Sequence, residues 1–136
     1  MIEVTCAVII RRGKVLIARR GEHLHHAFQW EFPGGKIKPD ETEVQCILRE
    51  IKEELDIGLE IAKKMTAVDF DYGFKKIKLI PFLCFLRSGK ILLKEHVDYR
   101  WIGWQELGKM NLSGADLKLL SQPGNQKLLE KYSREG

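Results

Sequence analysis

The sequence is poor in the features that define secreted, fibrous or membrane-spanning proteins. Its 136 residues include three cysteines and four prolines. The cysteines are odd in number, scattered and set in apolar surroundings, which argues against a disulfide framework or a zinc site and favours reduced thiols in a core. No apolar run approaches the ~18 residues of a membrane-spanning helix. Internal repeats, low-complexity tracts and linkers are also absent from the sequence.

Targeting signals and strong charge are missing as well. The first residues, MIEVTCAVII, have neither a basic region nor a small-residue cleavage site. We therefore expect no signal peptide, no membrane partner and a cytoplasmic protein. A net charge of +4 is modest and fits an anionic ligand without requiring one. Because no basic helix or interleaved aromatic stripe is visible, we do not expect nucleic-acid binding. The expected state is a monomer or homodimer.

The composition is that of an ordinary globular domain, with 44% hydrophobic and 31% charged residues. We predict one domain over residues 1–136. Apolar and β-branched runs predict most of the strands, and helical spacing of apolar residues predicts the helices. The predicted strands are 3–10, 15–18, 30–33, 59–71, 76–86, 91–94 and 98–104. The predicted helices are 43–55, 105–110 and a last helical part from 112 to 133 that is interrupted at Pro123-Gly124.

The helix predicted over 43–55 has the clearest local signals. Thr42 and Gln45 have the spacing of a capping box, and Asp40 and Glu41 add negative charge near its N-terminus. The spacing also predicts one apolar stripe along the helix. The stripe consists of Val44, Ile47, Leu48, Ile51 and Leu55.

Three carboxylates occupy one flank of the same helix. Glu50, Glu53 and Glu54 stand at positions i, i+3 and i+4, where side chains are neighbours. Because three adjacent carboxylates repel one another, a cation is expected beside them, and clustered hard oxygen ligands suit Mg²⁺ or Mn²⁺. Arg49 could hold one carboxylate in place. The alternative is a solvated amphipathic helix with an acidic face.

A glycine pair precedes this acidic helix. Gly34-Gly35 lets the backbone turn tightly or approach a ligand closely, so a glycine loop followed by acidic ligands would suit a metal-bound polyphosphate. The spacing Gly35-x5-Glu41-x7-Arg49-Glu50-Ile51-x-Glu53-Glu54 resembles the box of the Nudix hydrolases. Asp56 stands where that motif has its last glycine. This position is a helix C-cap, and aspartate tolerates left-handed geometry better than most residues.

The resemblance implies an α/β fold, an α/β/α sandwich on a mixed sheet, and hydrolysis of a diphosphate linkage with Mg²⁺ or, in its place, Mn²⁺. It also implies roles for particular residues. The implied metal ligands are Gly35 through its carbonyl, Glu50, Glu53, Glu54 and the loop residue Glu95. The implied catalytic residues are Arg49, Glu50, Glu53 and Glu95, with Glu53 or Glu95 as the base. Glu95 alone would otherwise be an ordinary solvated loop glutamate.

Residues outside the helix are candidates for substrate contact. The resemblance to MutT-like Nudix proteins suggests Arg20, Glu31 and Asp116. Gly34 of the glycine pair and Lys36, which follows the pair and could meet a phosphate charge, are further candidates. Asp116 would read the base, because a carboxylate accepts a hydrogen bond from an exocyclic amine such as cytosine N4. Its alternative role is that of an acid at a helix N-terminus.

Other side chains are ambiguous. Tyr72 and Phe74, in a predicted turn, could stack on a base, although aromatic residues in a turn or core are the commoner case. The loop histidines 23, 25 and 26 are expected to be solvated, because no cysteine or carboxylate cluster accompanies them.

The function implied is pyrophosphohydrolysis of a nucleoside triphosphate to a monophosphate and pyrophosphate. Asp116 and the lead-in Trp-Glu-Phe-Pro favour CTP, dCTP or 5-substituted cytosine nucleotides. Three alternatives stay open: an 8-oxo-dGTP diphosphatase serving mutation avoidance and DNA repair, a nucleotide-sensing module without turnover, and an RNA-cap pyrophosphohydrolase.

Overall fold

The computed structural model describes residues 1–24 and 26–134. It contains eight strands, three α-helices and one 3₁₀-helix within these residues. The strands are β1 (Ile2–Arg11), β2 (Lys14–Arg19), β3 (Trp30–Glu31), β4 (Gly34–Lys36), β5 (Gly58–Lys64), β6 (Val68–Asp71), β7 (Lys76–Ser88) and β8 (Asp98–Gly103). The helices are α1 (Glu43–Leu55), α2 (Gly114–Ser121) and α3 (Pro123–Ser133), and the 3₁₀-helix is Trp104–Lys109. None of the described helices is long and apolar enough to cross a membrane.

The strands form one mixed sheet. Its central order is β3-β2-β1-β7-β5, with β4 paired to β1, β6 to β7 and β8 to β2. The pairing of β1 with β7 is parallel, and the other pairings are antiparallel. Side chains of β1 alternate between two apolar cores, one covered by α2 and α3 and the other by α1. The predicted α/β/α sandwich is therefore confirmed.

Helix α1 has the bounds predicted for it. Thr42 and Gln45 form the reciprocal capping box, and Asp56 ends the helix in the left-handed conformation at φ 57°. The predicted apolar stripe is only partly correct, because Val44 and Leu48 are 42% and 40% exposed. The buried stripe instead includes Cys46, with Ile47, Ile51 and Leu55.

The strand predicted over 59–71 is wrong as one element, because residues 65–67 interrupt it and leave β5 and β6 separate. Pro81 of β7 lies opposite this break. Proline has no backbone N–H to donate, and a break in the neighbouring strands is a place where the sheet needs no such donor. Asn125 fills the break from α3. Its Oδ1 accepts from the Thr66 N–H at 2.8 Å, and its Nδ2 donates to the carbonyls of Thr66 and Leu119 at 3.0 Å.

Two further sequence predictions need correction. Residues 91–94 form no strand, and the Leu92 N–H instead donates to the Leu55 carbonyl at 2.9 Å. The helix predicted over 105–110 is a 3₁₀-helix that begins at Trp104.

Of the loop histidines, His23 and His26 are exposed, and His25 lies outside the described residues.

Replacing Asn125 should destabilise the fold through the break between β5 and β6. Asn125→Ala leaves both backbone groups of Thr66 without their partner, which should cost about 2–4 kcal/mol of unfolding free energy in urea denaturation. Gln126→Ala is the matched control, since Gln126 makes an exposed bond to the Leu120 carbonyl. An equal effect of the two substitutions would contradict this account.

Candidate active site

The glycine pair lies in strand β4 and not in a loop, which corrects the sequence prediction. Both glycines are required by close contacts and not by an unusual φ. A Cβ at Gly34 would lie 2.0 Å from the Thr5 carbonyl oxygen of β1. A Cβ at Gly35 would lie 2.3 Å from the carboxyl carbon of Glu50. Strand β4 therefore packs its backbone directly against the first carboxylate of the acidic helix.

Arg49 is the centre of the carboxylate cluster on α1. Its Nε donates to Glu41 Oε2 at 2.6 Å, and its Nη1 donates to Glu50 at 2.9 Å and to Glu53 at 3.1 Å. Its Nη2 reaches the Lys36 carbonyl at 3.3 Å. Hydrogen bonds from the Arg49 guanidinium and from the Lys38 N–H lower the pKa of Glu41 to about 2. The site prediction missed Glu41 as a partner of Arg49, although its motif position marked it.

Glu54 is the carboxylate with the least favourable surroundings. Its Oε2 is buried without a hydrogen-bond partner among the described residues. Burial raises the pKa of Glu54 to about 9, and the nearby charges of Glu31, Glu50 and Glu95 add to the effect. A buried, unsatisfied oxygen among negative charges is the environment that a bound cation would relieve.

The donor set suits a hard divalent cation such as Mg²⁺ or Mn²⁺. The charges of Glu50 and Glu95 reach Glu54, and Glu53 shares Arg49 with Glu50. Over residues 1–24 and 26–134, no three acidic, histidine or cysteine side chains are already arranged around one point as ligands. The Gly35 carbonyl accepts from the Thr5 hydroxyl at 3.3 Å. Glu50 and Glu53 share Arg49, and each uses one carboxylate oxygen for that bond, which leaves the other oxygen for an ion.

A cleft of about 230 Å³ opens beside this cluster. Its lining brings together all the residues that the sequence suggested as substrate contacts. They are Arg20, Glu31, Gly34, Lys36 and Asp116. Strands β1 and β7 add apolar side chains to the lining, namely Val4, Cys6, Ile77 and Leu79.

Asp116 is a buried residue of the cleft lining. It is 3% exposed, and its Oδ2 accepts from the Phe32 N–H at 3.0 Å. Burial raises the pKa of Asp116 to about 7, helped by the charge of Glu31. At neutral pH the group is therefore present in both forms, of which one only accepts hydrogen bonds and the other also donates.

An aromatic cluster forms another wall of the cleft. The Tyr72 ring centroid lies 5.4 Å from that of His26 and 6.2 Å from that of Phe74. The Tyr72 hydroxyl accepts from the Ala115 N–H at 3.0 Å, which ties the β6–β7 turn to helix α2. Phe74 is 56% exposed. Sequence reasoning had only the aromatic pair at a turn as a signal, because the contact with α2 joins distant residues.

Glu31 is held from two sides. Its Oε1 accepts from Arg20 at 2.8 Å, and its Oε2 lies 2.9 Å from His96 Nε2. Burial alone would raise the pKa of Glu31, but hydrogen bonds from His96 and the charge of Arg20 lower it overall. The sequence did not indicate the contact with His96, which lies 65 residues further along the chain.

This combination of an acidic helix, a glycine strand and an adjoining cleft agrees with what the comparisons show. The NUDIX domain model matches residues 1–122. The chain therefore belongs to the Nudix family and is a hydrolase of diphosphate bonds. It is 34% identical over 120 residues to a CTP pyrophosphohydrolase of Escherichia coli, covering 88% of this chain and 89% of that protein. It is 44% identical over 116 residues to a putative 8-oxo-dGTP diphosphatase 2 of Mycobacterium tuberculosis, covering 83% and 81%.

Solved structures give the same fold. The solution structure of the E. coli ORF135 protein superposes with a TM-score of 0.80 at 32% identity, covering 94% of this chain and 90% of that one. A MutT protein of Methanosarcina mazei superposes with a TM-score of 0.79 at 27% identity, covering 98% and 94%. The predicted family and fold are both confirmed.

The two glycines should respond differently to alanine. Gly34→Ala places its methyl group into the β1 backbone and should cost about 3 kcal/mol of unfolding free energy. Gly35→Ala meets the movable end of Glu50, so we expect near wild-type stability with about a 100-fold loss of triphosphate hydrolysis. Thermal unfolding and pyrophosphate release measure the two effects. Unaltered hydrolysis by Gly35→Ala would show that the position of Glu50 is not critical.

The raised pKa of Glu54 predicts how stability depends on pH in the metal-free protein. The folded state binds the Glu54 proton more tightly than the unfolded chain does. The contribution of Glu54 to stability is therefore full below pH 4.5 and is lost as the pH rises toward about 9. Glu54→Gln removes this loss. We expect the variant to exceed wild type by roughly 2–4 kcal/mol at pH 8 and to match it near pH 4.5. Urea denaturation in EDTA measures both, and a pH-independent difference would contradict the assignment.

Proposed function

We propose that this chain is a divalent-metal-dependent nucleoside triphosphate pyrophosphohydrolase that prefers cytosine nucleotides (CTP, dCTP or 5-substituted dCTP). One observation carries the proposal. An acidic helix face ordered by Arg49 adjoins a cleft whose lining includes the buried carboxyl group of Asp116. The first feature suits the polyphosphate, and the second suits a base with an exocyclic amine.

Hydrolysis of a diphosphate linkage depends mainly on positioning and on stabilising charge. A Mg²⁺ ion, or Mn²⁺ in its place, would neutralise the polyphosphate and lower the pKa of a bound water molecule. Glu50, Glu53, Glu54 and Glu95 would hold it, with the Gly35 carbonyl as a further oxygen ligand.

The chain's own residues then have separate tasks. Arg49 orients Glu50 and Glu53 through the bonds already described. Glu53, 55% exposed at its side chain, or the exposed Glu95 accepts the proton of the attacking water. Lys36 lies at the cleft wall beside Gly35, where its ammonium group can pair with a phosphate.

The base would enter the aromatic side of the cleft. Tyr72 and Phe74 offer ring faces for stacking. Asp116 keeps Oδ1 free of the Phe32 bond, and this oxygen can accept from cytosine N4. The name of the E. coli relative, CTP pyrophosphohydrolase, supports this choice.

8-Oxo-dGTP is the second candidate substrate. Relatives named 8-oxo-dGTP diphosphatase support it, and so does the Asp116 pKa of about 7, because a protonated carboxyl group could both donate to and accept from a purine edge. Under this alternative the chemistry is unchanged, and the cellular role would be mutation avoidance.

Several broader expectations belong to the same proposal. We expect one domain over residues 1–136, a monomer or homodimer, a cytoplasmic location and no nucleic-acid partner. A flat salt dependence of substrate binding would support a free nucleotide as substrate, whereas a steep one would favour RNA.

Pyrophosphate release with Mg²⁺ tests the proposal across CTP, dCTP, 5-methyl-dCTP, 8-oxo-dGTP and the common triphosphates. We expect cytosine nucleotides to lead and Glu53→Gln to lose at least about 100-fold in kcat. Asp116→Ala should reduce discrimination between CTP and UTP by roughly 10-fold, the scale of one base-reading hydrogen-bond pair. Leading turnover of 8-oxo-dGTP would select the second candidate. Binding of CTP without turnover by wild type would instead favour a nucleotide sensor.

A further inference from the structure

The connection between β7 and β8 is tied at one end to helix α1 and at the other to strand β2. The Leu92 N–H donates to the Leu55 carbonyl at 2.9 Å, and the Val97 N–H donates to the Arg19 carbonyl at 3.0 Å. Between these bonds the backbone of Glu95 passes close to Gly21, where a Cβ would lie 3.5 Å from the Glu95 carbonyl oxygen. We call residues 94–97 the glutamate loop.

Glu95 itself is not fixed by its own side chain. It is exposed, and it makes no hydrogen bond or ion pair with another residue in the part of the chain that the structure describes. Its charge nevertheless reaches the acidic helix, because it contributes to the raised pKa of Glu54. Its position relative to Glu54 must therefore come from the backbone of the glutamate loop.

His96 is the side chain of this loop that points into the protein. Only 5% of its side chain is exposed. Its Nε2 lies 2.9 Å from Glu31 Oε2, and its Nδ1 is buried without a hydrogen-bond partner among the described residues. Since a carboxylate only accepts, Nε2 is the nitrogen that donates.

Glu31 is a fixed partner for this histidine. It belongs to β3, and its other oxygen accepts from Arg20 at 2.8 Å. Its side chain is 19% exposed. A carboxylate held by donors on both sides is a rigid point on the sheet, and its bond to His96 is charge-assisted.

We propose that His96 is a positioning residue: by donating to Glu31, it fixes the glutamate loop on the sheet and thereby sets the position of Glu95. This inference rests on the proposed function, in which Glu95 serves the hydrolytic site. It assigns His96 no contact with the substrate and no proton transfer of its own.

Two substitutions of His96 separate its hydrogen bond from its bulk. His96→Leu fills similar space without a donor. His96→Gln keeps an N–H donor at about the position of Nε2. His23→Leu is the matched control, since His23 is exposed on a different loop. Thermal unfolding of all three establishes that each variant is folded.

Hydrogen exchange in the metal-free protein tests the loop directly and needs no activity. The reporter is the Val97 amide, which is bonded to the Arg19 carbonyl. We expect it to exchange about 10-fold faster in His96→Leu, because this variant lacks the charge-assisted hydrogen bond to Glu31. It should stay within about twofold of wild type in His96→Gln and His23→Leu.

Kinetics with CTP test the link to Glu95. His96→Leu should lower kcat by about 10-fold with a smaller change in KM, and His96→Gln should recover most of the loss. In a Glu95→Gln background, His96→Leu should cost no further activity, because the residue through which it acts has already been changed.

The outcomes distinguish this inference from the proposed function. If wild type hydrolyses no triphosphate, the proposed function fails, and faster Val97 exchange in His96→Leu still supports the anchoring of the loop. Unaltered Val97 exchange in His96→Leu overturns the inference whatever the activity. So does a full 10-fold further loss in the Glu95→Gln background, since His96 would then act independently of Glu95.

Discussion

The repulsion among carboxylates on one flank of α1 is the constraint on which the rest of the structure depends. Glu50, Glu53 and Glu54 would spread apart in water, yet Arg49 draws two of them to one guanidinium group. Glu41 completes this arrangement as the strongest partner of Arg49 and keeps a pKa of about 2. Glu54 is left out, and burial, together with the nearby charges of Glu31, Glu50 and Glu95, raises its pKa to about 9. The buried Glu54 oxygen without a partner is therefore the atom that a bound cation would stabilise most.

Strand β4 makes this crowding possible. The parallel pairing of β1 with β7 sets the middle of the sheet, and β4 pairs with β1 through glycines that have no side chain to separate it from the helix. A Cβ at Gly35 would occupy the space of the Glu50 carboxylate. The glycine pair and the acidic helix are therefore one steric unit, which explains why the spacing between them matters as much as the residues themselves.

Sequence reasoning succeeded where the determining contacts are local. The capping box, the helix bounds and the left-handed Asp56 all depend on neighbours within a few residues. It failed where distant residues decide. The break at 65–67 depends on Asn125, and residues 91–94 bond to the end of α1 instead of forming a ladder. The substrate candidates converge on one cleft as suggested, but their chemical roles stay predictions, because a position in a motif does not show what a side chain contacts.

Glu31 connects the two halves of the site. Its charge raises the pKa of Glu54 on the side of the acidic helix and that of Asp116 in the cleft lining. Arg20 and His96 keep Glu31 itself ionised despite its burial. A cation that lowers the local negative potential would therefore lower the pKa of both Glu54 and Asp116, since these two groups and Glu31 share one region of low dielectric. The acidic helix and Asp116 are coupled through the charge of Glu31, although only the acidic helix carries the family motif.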